Sequence, residues 1–183
     1  MRHLPNIICL LRILLVWPLI QSLRAGDFHG TLWIFAIAAL SDGLDGYLAK
    51  RFGWTSDLGR VLDPVADKLL LVSLFLMTTW LGLVPQWLTV IAVARDVMIG
   101  TGALVFLLVF GPLHGRPKWI SKLNTLMQLS YLMGIVLNQV SGFPPHWFMQ
   151  ALLWLTGATL LASGYAYLHE FTTRAARSRA TAH

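Results

Sequence analysis

The sequence predicts an all-α integral membrane protein with six transmembrane helices, on three observations. Of its 183 residues, 56% are hydrophobic and 12% charged, against roughly 25% charged in a soluble domain. So few charges cannot coat a soluble globule of this length. The apolar residues gather in stretches near the ~20 that cross a bilayer as helix, with no strand-like alternation and no internal repeat. Fourteen Lys and Arg against eight Asp and Glu give a net charge of +6. The basic residues lie between the apolar stretches, as on a membrane surface, and nucleic acid is not expected as a partner.

The first stretch, Asn6 to Leu23, follows a basic start and resembles a signal peptide at first sight. Arg12 interrupts it and no small-x-small cleavage site follows, so it reads as a retained helix. Cys9, the single cysteine, excludes an internal disulfide and reads as a small buried apolar residue. The second stretch runs from Thr31 to Leu48. The third, Leu69 to Leu83, is short, but Asp63-Pro64 can start its helix earlier, with Pro64 at the first helical position. Trp87 to Phe110, Trp119 to Val140 and Trp147 to Tyr167 complete the set. Trp33, Trp80, Trp87, Trp119 and Trp147 lie near the ends of these stretches, as interfacial anchors do. Residues 1–170 form one transmembrane domain and 171–183 a short basic tail, and the chain after Tyr167 is expected to fray.

Orientation follows from the Lys and Arg residues. Arg2, the group Lys50, Arg51 and Arg60, the pair Arg116 and Lys118, and the tail residues Arg174, Arg177 and Arg179 all fall on one side. Across the membrane, Arg24 sits in the first loop, and the loops around Gly82 and Ser141–His146 have no Lys or Arg. Both termini and the second connection are therefore expected on the cytoplasmic side. His114 and His146 read as solvated loop residues, and His169 as interfacial.

Five of the eight acidic residues lie between Asp42 and Asp67. Four form a pattern, Asp42-x2-Asp45 and Asp63-x3-Asp67. Each spacing puts its pair on one helix face, ~5–6 Å apart. The first pair ends the second stretch and the second begins the third. The 17 residues from Gly46 to Leu62 can fold back and bring the pairs together. Uncompensated, four carboxylates at a membrane face repel one another and are costly to bury. Cations relieve this. Oxygen-only donors suit Mg²⁺ or Mn²⁺, and the absence of Cys and His from the pattern disfavours zinc. Two divalent ions could share the carboxylates. Gly43, Gly46, Ala49 and Gly59 stand close by; small residues admit either a nucleotide or a neighbouring helix.

The run Asp42-x2-Asp45-Gly46-x2-Ala49-Lys50-x8-Gly59-x3-Asp63-x3-Asp67 resembles the signature of the CDP-alcohol phosphatidyltransferase family, D-x2-D-G-x2-A-R-x8-G-x3-D-x3-D. Every spacing matches. Lys50 replaces the family Arg, keeping the charge but losing the planar fork, and Arg51 could supply the missing contact. The resemblance implies six transmembrane helices, a homodimer and a site holding two metal ions per subunit, open to cytoplasm and lipid. It implies that Asp42, Asp45, Asp63 and Asp67 hold the metals and that Asp67 is also the general base. Gly46, Ala49, Lys50 and Gly59 would then border the cytidine nucleotide of CDP-diacylglycerol.

Charged residues inside the other stretches bear on the acceptor. Arg95-Asp96 interrupts the fourth, Lys122 and Asn124 open the fifth, and Arg12 lies in the first, where structural and functional readings are balanced. Val93-Ala94-Arg95-Asp96-Val97-Met98, Ile120-Ser121-Lys122-Leu123-Asn124-Thr125 and Leu155 to His169 resemble the mitochondrial-type, CMP-forming cardiolipin synthases of that family. Pro5-Asn6 and Arg12 resemble its amino-terminal segment more generally. Related phosphatidylglycerophosphate synthases read Ala-Arg-Glu and Gly-Lys-x-Lys-Thr at the corresponding places. Here Asn124 stands for the second Lys. The diester of phosphatidylglycerol has less charge than the monoester of glycerol 3-phosphate and needs fewer cations.

The expected reaction is therefore transfer from CDP-diacylglycerol to phosphatidylglycerol, giving cardiolipin and CMP. Arg95, Lys122, Asn124 and Arg51 are its acceptor or phosphate-binding candidates. The rival is phosphatidylglycerophosphate synthase. A cation transporter would show acids at mid-bilayer and inverted repeats, and a non-catalytic scaffold has no use for four acids. The expected location is a bacterial cytoplasmic membrane, with the active site facing the cytoplasm.

Overall fold

A computed structural model describes the backbone of residues 4–52, 57–110 and 119–180, and the side chains of residues 10–41, 66–105, 108 and 119–173. Among these residues the chain forms six helices and no strands: α1 (Leu4–Arg24), α2 (Phe28–Phe52), α3 (Asp57–Trp80), α4 (Gln86–Phe110), α5 (Trp119–Ser141) and α6 (His146–Ala180). Five of them contain an expected apolar stretch whole, and α3 ends at Trp80, three residues before the expected end of its stretch at Leu83.

Two compact units are distinguished. The first comprises residues 1–84 and 132–145, and α1 packs there against both α2 and α3. Its core is built from helical stripes. Arg12, Leu19 and Leu23 are buried on α1, Phe35 and Ala38 on α2, and Ala66, Leu70 and Leu74 on α3. These spacings of three, four and seven place each set along one helix face. The second unit comprises residues 85–131 and 146–183, with α4 packed on α6. Leu88 and Ala92 of α4 and Leu153 and Leu160 of α6 are buried, and Trp87 stacks on Trp154 at 5.8 Å.

Turn chemistry fixes the ends of α1 and α3. Gly26 and Gly82 adopt φ of 71° and 74°, a conformation that glycine enters without steric cost. The Asp27 amide bonds the Ser22 carbonyl and the Gly26 amide bonds the Leu23 carbonyl; Leu83 to Thr78 and Gly82 to Thr79 repeat the arrangement. Both are Schellman closures that satisfy the last carbonyls of a helix. Asp27 then caps α2, accepting from the Gly30 amide at 2.9 Å, as N-cap residues do. Near these ends the Arg24 guanidinium lies 5.9 Å from the Trp80 ring centre.

The outward faces are apolar. Trp33, Ile37, Leu40, Leu76, Val90, Leu104, Trp154 and Leu161 are all exposed, whereas Thr31, Thr78, Asn124, Gln128 and Thr156 are buried. A water-soluble protein rarely exposes so many large apolar side chains. A chain in lipid buries its polar groups and meets the acyl chains with its apolar ones. Two helical segments among the described residues, Gln86–Val105 and His146–Thr173, are long and apolar enough to cross a membrane. Among the described residues α2 contributes a shorter apolar segment, Phe28–Ser41. The tryptophans expected as anchors, Trp33, Trp80, Trp87, Trp119 and Trp147, are all exposed.

Three expectations about helix ends are corrected. α3 begins at Asp57, so Pro64 is an interior residue and not the first of its helix. α2 continues to Phe52, and most of the expected fold-back from Gly46 to Leu62 is helix. Leu, Ala, Lys and Arg have high helix propensity, and Leu48-Ala49-Lys50-Arg51 extends α2 about two turns past Asp45. Instead of fraying after Tyr167, α6 continues to Ala180. Alanines at 175, 176 and 180 favour that extension.

Candidate active site

The four acids lie on two helices of the first unit. Asp42 and Asp45 are on α2, and Asp63 and Asp67 on α3. Both pairs therefore have the helical spacing that puts them on one face, about two turns from the α2–α3 connection. Helix α1 packs against both of these helices. The side chains of Asp42, Asp45, Gly46, Ala49, Lys50, Arg51, Gly59 and Asp63 lie outside the described residues, and so do residues Arg116 and Lys118.

Asp67 is described. It stands at the N-terminal end of the stripe that buries Leu71, Leu74 and Thr78, so its side chain meets α1. Arg12 Nη1 donates a hydrogen bond to Asp67 Oδ1, forming an ion pair. The two sides of the pair differ. The Arg12 side chain is 2% exposed and that of Asp67 43% exposed. The cation is thus held in the helix core, and the carboxylate reaches from it toward an accessible face. Opposite charge is needed there, since a buried guanidinium without a partner is strongly unfavourable.

A hard divalent cation fits the donor types that α2 and α3 carry. The four acids of the pattern are carboxylates, with neither thiolate nor imidazole among them, and Asp67 presents a half-exposed carboxylate. Among the described residues no three His, Cys, Asp or Glu side chains converge.

The second unit contains a polar cluster. Arg95 on α4 is 6% exposed. Its Nη1 donates to Asp96 Oδ1 at 2.7 Å, and its Nη2 donates to Ser121 Oγ of α5 at 2.9 Å and to Ser163 Oγ of α6 at 2.5 Å. The Tyr167 ring centre lies 5.8 Å from the guanidinium carbon, a cation–π distance. Arg95 Nε is buried without a protein partner. Gly164 brings α6 close, since a Cβ there would stand 3.8 Å from Arg95 Cγ.

Asn124 is fully buried. Its Oδ1 accepts from Thr159 Oγ1 at 3.3 Å, and its Nδ2 has no protein partner. One turn further along α5, Gln128 Nε2 is buried in the same condition. Lys122 is exposed, on the face it shares with Leu123 and Leu126. The four acceptor candidates are therefore not alike. Arg95 and Asn124 lie in the buried polar seam, Lys122 lies at the surface, and the Arg51 side chain is outside the described set.

Sequence reasoning missed Ser121, Ser163, Tyr167 and Thr159 as partners of these groups. Their signal was available in part. Ser121 precedes Asn124 by three residues, and Ser163 follows Thr156 and Leu160 by seven and three, so each belongs to the inward stripe of its helix.

Comparison with known proteins gives a consistent result. The sequence profile described as CDP-alcohol phosphatidyltransferase matches residues 2–162. A Rattus norvegicus protein named cardiolipin synthase (CMP-forming) is 33% identical over 184 residues, 91% of this chain and 60% of its own length. The Homo sapiens protein of that name gives the same figures. A Mycobacterium tuberculosis protein named probable phosphatidylglycerophosphate synthase is 32% identical over 166 residues, 87% of this chain and 76% of its own. The chain thus spans 60% of the length of the rat and human relatives.

Proposed function

This chain belongs to the CDP-alcohol phosphatidyltransferase family, and from that premise we propose that it transfers a phosphatidyl group from CDP-diacylglycerol to phosphatidylglycerol, giving cardiolipin and CMP. The observation that carries the acceptor assignment is the 33% identity with two proteins named cardiolipin synthase, across 91% of this chain. The buried, neutral Asn124, where phosphatidylglycerophosphate synthases place a second Lys, supports it. The family also removes the footing of a transport or scaffold role.

Asp42, Asp45, Asp63 and Asp67 would hold two Mg²⁺ or Mn²⁺ ions per subunit. When bound, these supply charge neutralisation for the pyrophosphate and the departing CMP. Asp67 takes the proton from the terminal glycerol hydroxyl of phosphatidylglycerol. That oxygen attacks the phosphorus bonded to the diacylglycerol oxygen. A new P–O bond forms, the bond from that phosphorus to the bridging pyrophosphate oxygen breaks, and its electrons leave with CMP. Gly46, Ala49 and Gly59 would let the cytidine approach the backbone, with Lys50 or Arg51 on its phosphates. Arg95, Lys122 and Asn124 would orient the acceptor diester.

Six membrane spans, a homodimer and a bacterial cytoplasmic membrane complete the reading. Both termini and the site face the cytoplasm in it, supported by the one-sided Lys and Arg distribution. Both lipids enter laterally from the bilayer.

A product assay tests it. Purified protein is given labelled CDP-diacylglycerol, Mg²⁺ or Mn²⁺, and either phosphatidylglycerol or glycerol 3-phosphate. Cardiolipin from the first acceptor alone is the expected outcome. Phosphatidylglycerophosphate from the second alone would favour the reading that the mycobacterial relative's name suggests and would overturn the acceptor assignment.

A further inference from the structure

Arg12 is a core residue of α1 and sits on the stripe that also buries Leu19 and Leu23. A charge at such a position is costly unless an opposite charge meets it. Asp67 does so, across 55 residues of sequence. The two members differ in burial: the cation is buried and the carboxylate is 43% exposed. A partner held in the packed core and bonded to an oxygen of a half-exposed acid restrains the direction of that acid.

We propose that Arg12 is a positioning residue for Asp67. Its planar guanidinium grips Oδ1 from the core side and aims the carboxylate at the accessible face, where the attacking hydroxyl is deprotonated. The proposal rests on the assignment of Asp67 as general base. Arg12 touches neither substrate nor metal in this role. It also offsets the negative charge of Asp67, so its removal makes that carboxylate more attractive to divalent cations.

Two consequences separate positioning from general structural support. Misdirecting a reacting group by about 1 Å can cost on the order of a hundredfold in rate, whereas substrate binding depends little on that direction. Catalytic rate and metal affinity should therefore part company. A collapsed site would lose both.

Arg12→Met, which preserves length and apolar packing, and Arg12→Lys, which preserves charge without the fork, are compared with the parent enzyme in detergent. CMP release gives kcat and KM for CDP-diacylglycerol, and Mn²⁺ titration followed by electron paramagnetic resonance gives metal affinity without reference to activity. Size-exclusion profile and Tm report folding. For folded Arg12→Met we expect kcat lowered at least about tenfold, KM little changed, and Mn²⁺ bound as tightly as by the parent or more tightly. For Arg12→Lys we expect an intermediate kcat.

A folded Arg12→Met with parental kcat overturns the proposal, and so does parallel loss of kcat and Mn²⁺ binding. If Arg12→Met is recovered misfolded, Arg12→Lys decides: lowered kcat with unchanged KM and Mn²⁺ affinity supports positioning, and parental kcat overturns it. A parent that releases no CMP overturns the functional reading instead.

Discussion

Arg12 of α1 donates to Asp67 of α3, and the two members of this ion pair differ sharply in exposure, the cation being in the helix core and the carboxylate half open. The pair joins the first helix to the last acid of the motif. If that acid is the base, Asp67→Asn removes the proton acceptor while keeping size and one hydrogen-bonding oxygen. General-base contributions are about 10²–10⁴-fold. The variant should lose at least about a hundredfold in kcat and keep its size-exclusion profile. Near-normal CMP release would remove Asp67 from the role.

Four carboxylates without thiolate or imidazole make a second prediction. Chelation with EDTA should abolish CMP release, and Mg²⁺ or Mn²⁺ should restore it. Zn²⁺ should restore it poorly, because its usual sites draw on nitrogen and sulfur. Asp42→Asn and Asp63→Asn should each weaken Mn²⁺ binding, measured directly by titration. Full activity in a metal-free preparation would contradict the reading of all four acids.

The acceptor candidates are ranked by their surroundings. Arg95 is fixed by Asp96, Ser121 and Ser163 and retains a buried, unpartnered Nε, whereas Lys122 is exposed. Arg95→Met should raise the KM for phosphatidylglycerol more than Lys122→Met does, with little change in the KM for CDP-diacylglycerol. Steady-state kinetics with each lipid varied in turn checks this. Equal effects of the two substitutions would mean that burial is no guide to which cation meets the acceptor.

Much of this was readable in the sequence, and the failures have definite causes. Apolar runs placed all six helices because lipid-facing and core-facing positions are both hydrophobic, leaving long unbroken stretches. The ends of α2, α3 and α6 were misjudged where charges accumulate: Lys50 and Arg51, Asp57 and Arg60, Arg174 and Arg177. Charge marks where a helix leaves the apolar phase, and helical hydrogen bonding continues beyond it. The acid motif was visible because its spacing is local. The partnerships of Arg12 with Asp67 and of Arg95 with Ser163 join residues 55 and 68 positions apart, and no periodicity connects them. Arg12 stood out as a charge in an apolar run and as part of a segment resembling the family's amino terminus, and neither signal named Asp67 as its partner.

Continuation of α6 past the expected boundary has a measurable consequence. Phe171 lies against Gly102 of α4, and a Cβ at Gly102 would come within 2.6 Å of its ring. Overpacking of this kind costs about 1–3 kcal/mol. Gly102→Ala should lower the Tm in detergent, and adding Phe171→Leu should recover part of the loss. A frayed segment after Tyr167 would make both substitutions silent.

Gln128 gives the reverse expectation. It is 1% exposed, and its Nε2 lacks a protein partner. A buried donor left unsatisfied costs about 1–3 kcal/mol. Replacement by an apolar side chain of similar length removes that cost and fills the same space. Gln128→Met should therefore raise the Tm, or leave it unchanged, with CMP release intact. Asn124→Leu differs, because it also removes the acceptor that Thr159 uses at 3.3 Å and strands a hydroxyl, so it should stabilise less than Gln128→Met or destabilise. A fall in Tm on Gln128→Met would show that the amide is satisfied after all, by water or by a lipid oxygen held in the polar seam. The Tm of the two variants, measured with and without phosphatidylglycerol, distinguishes these cases: a lipid partner makes the loss depend on added lipid, and a water does not.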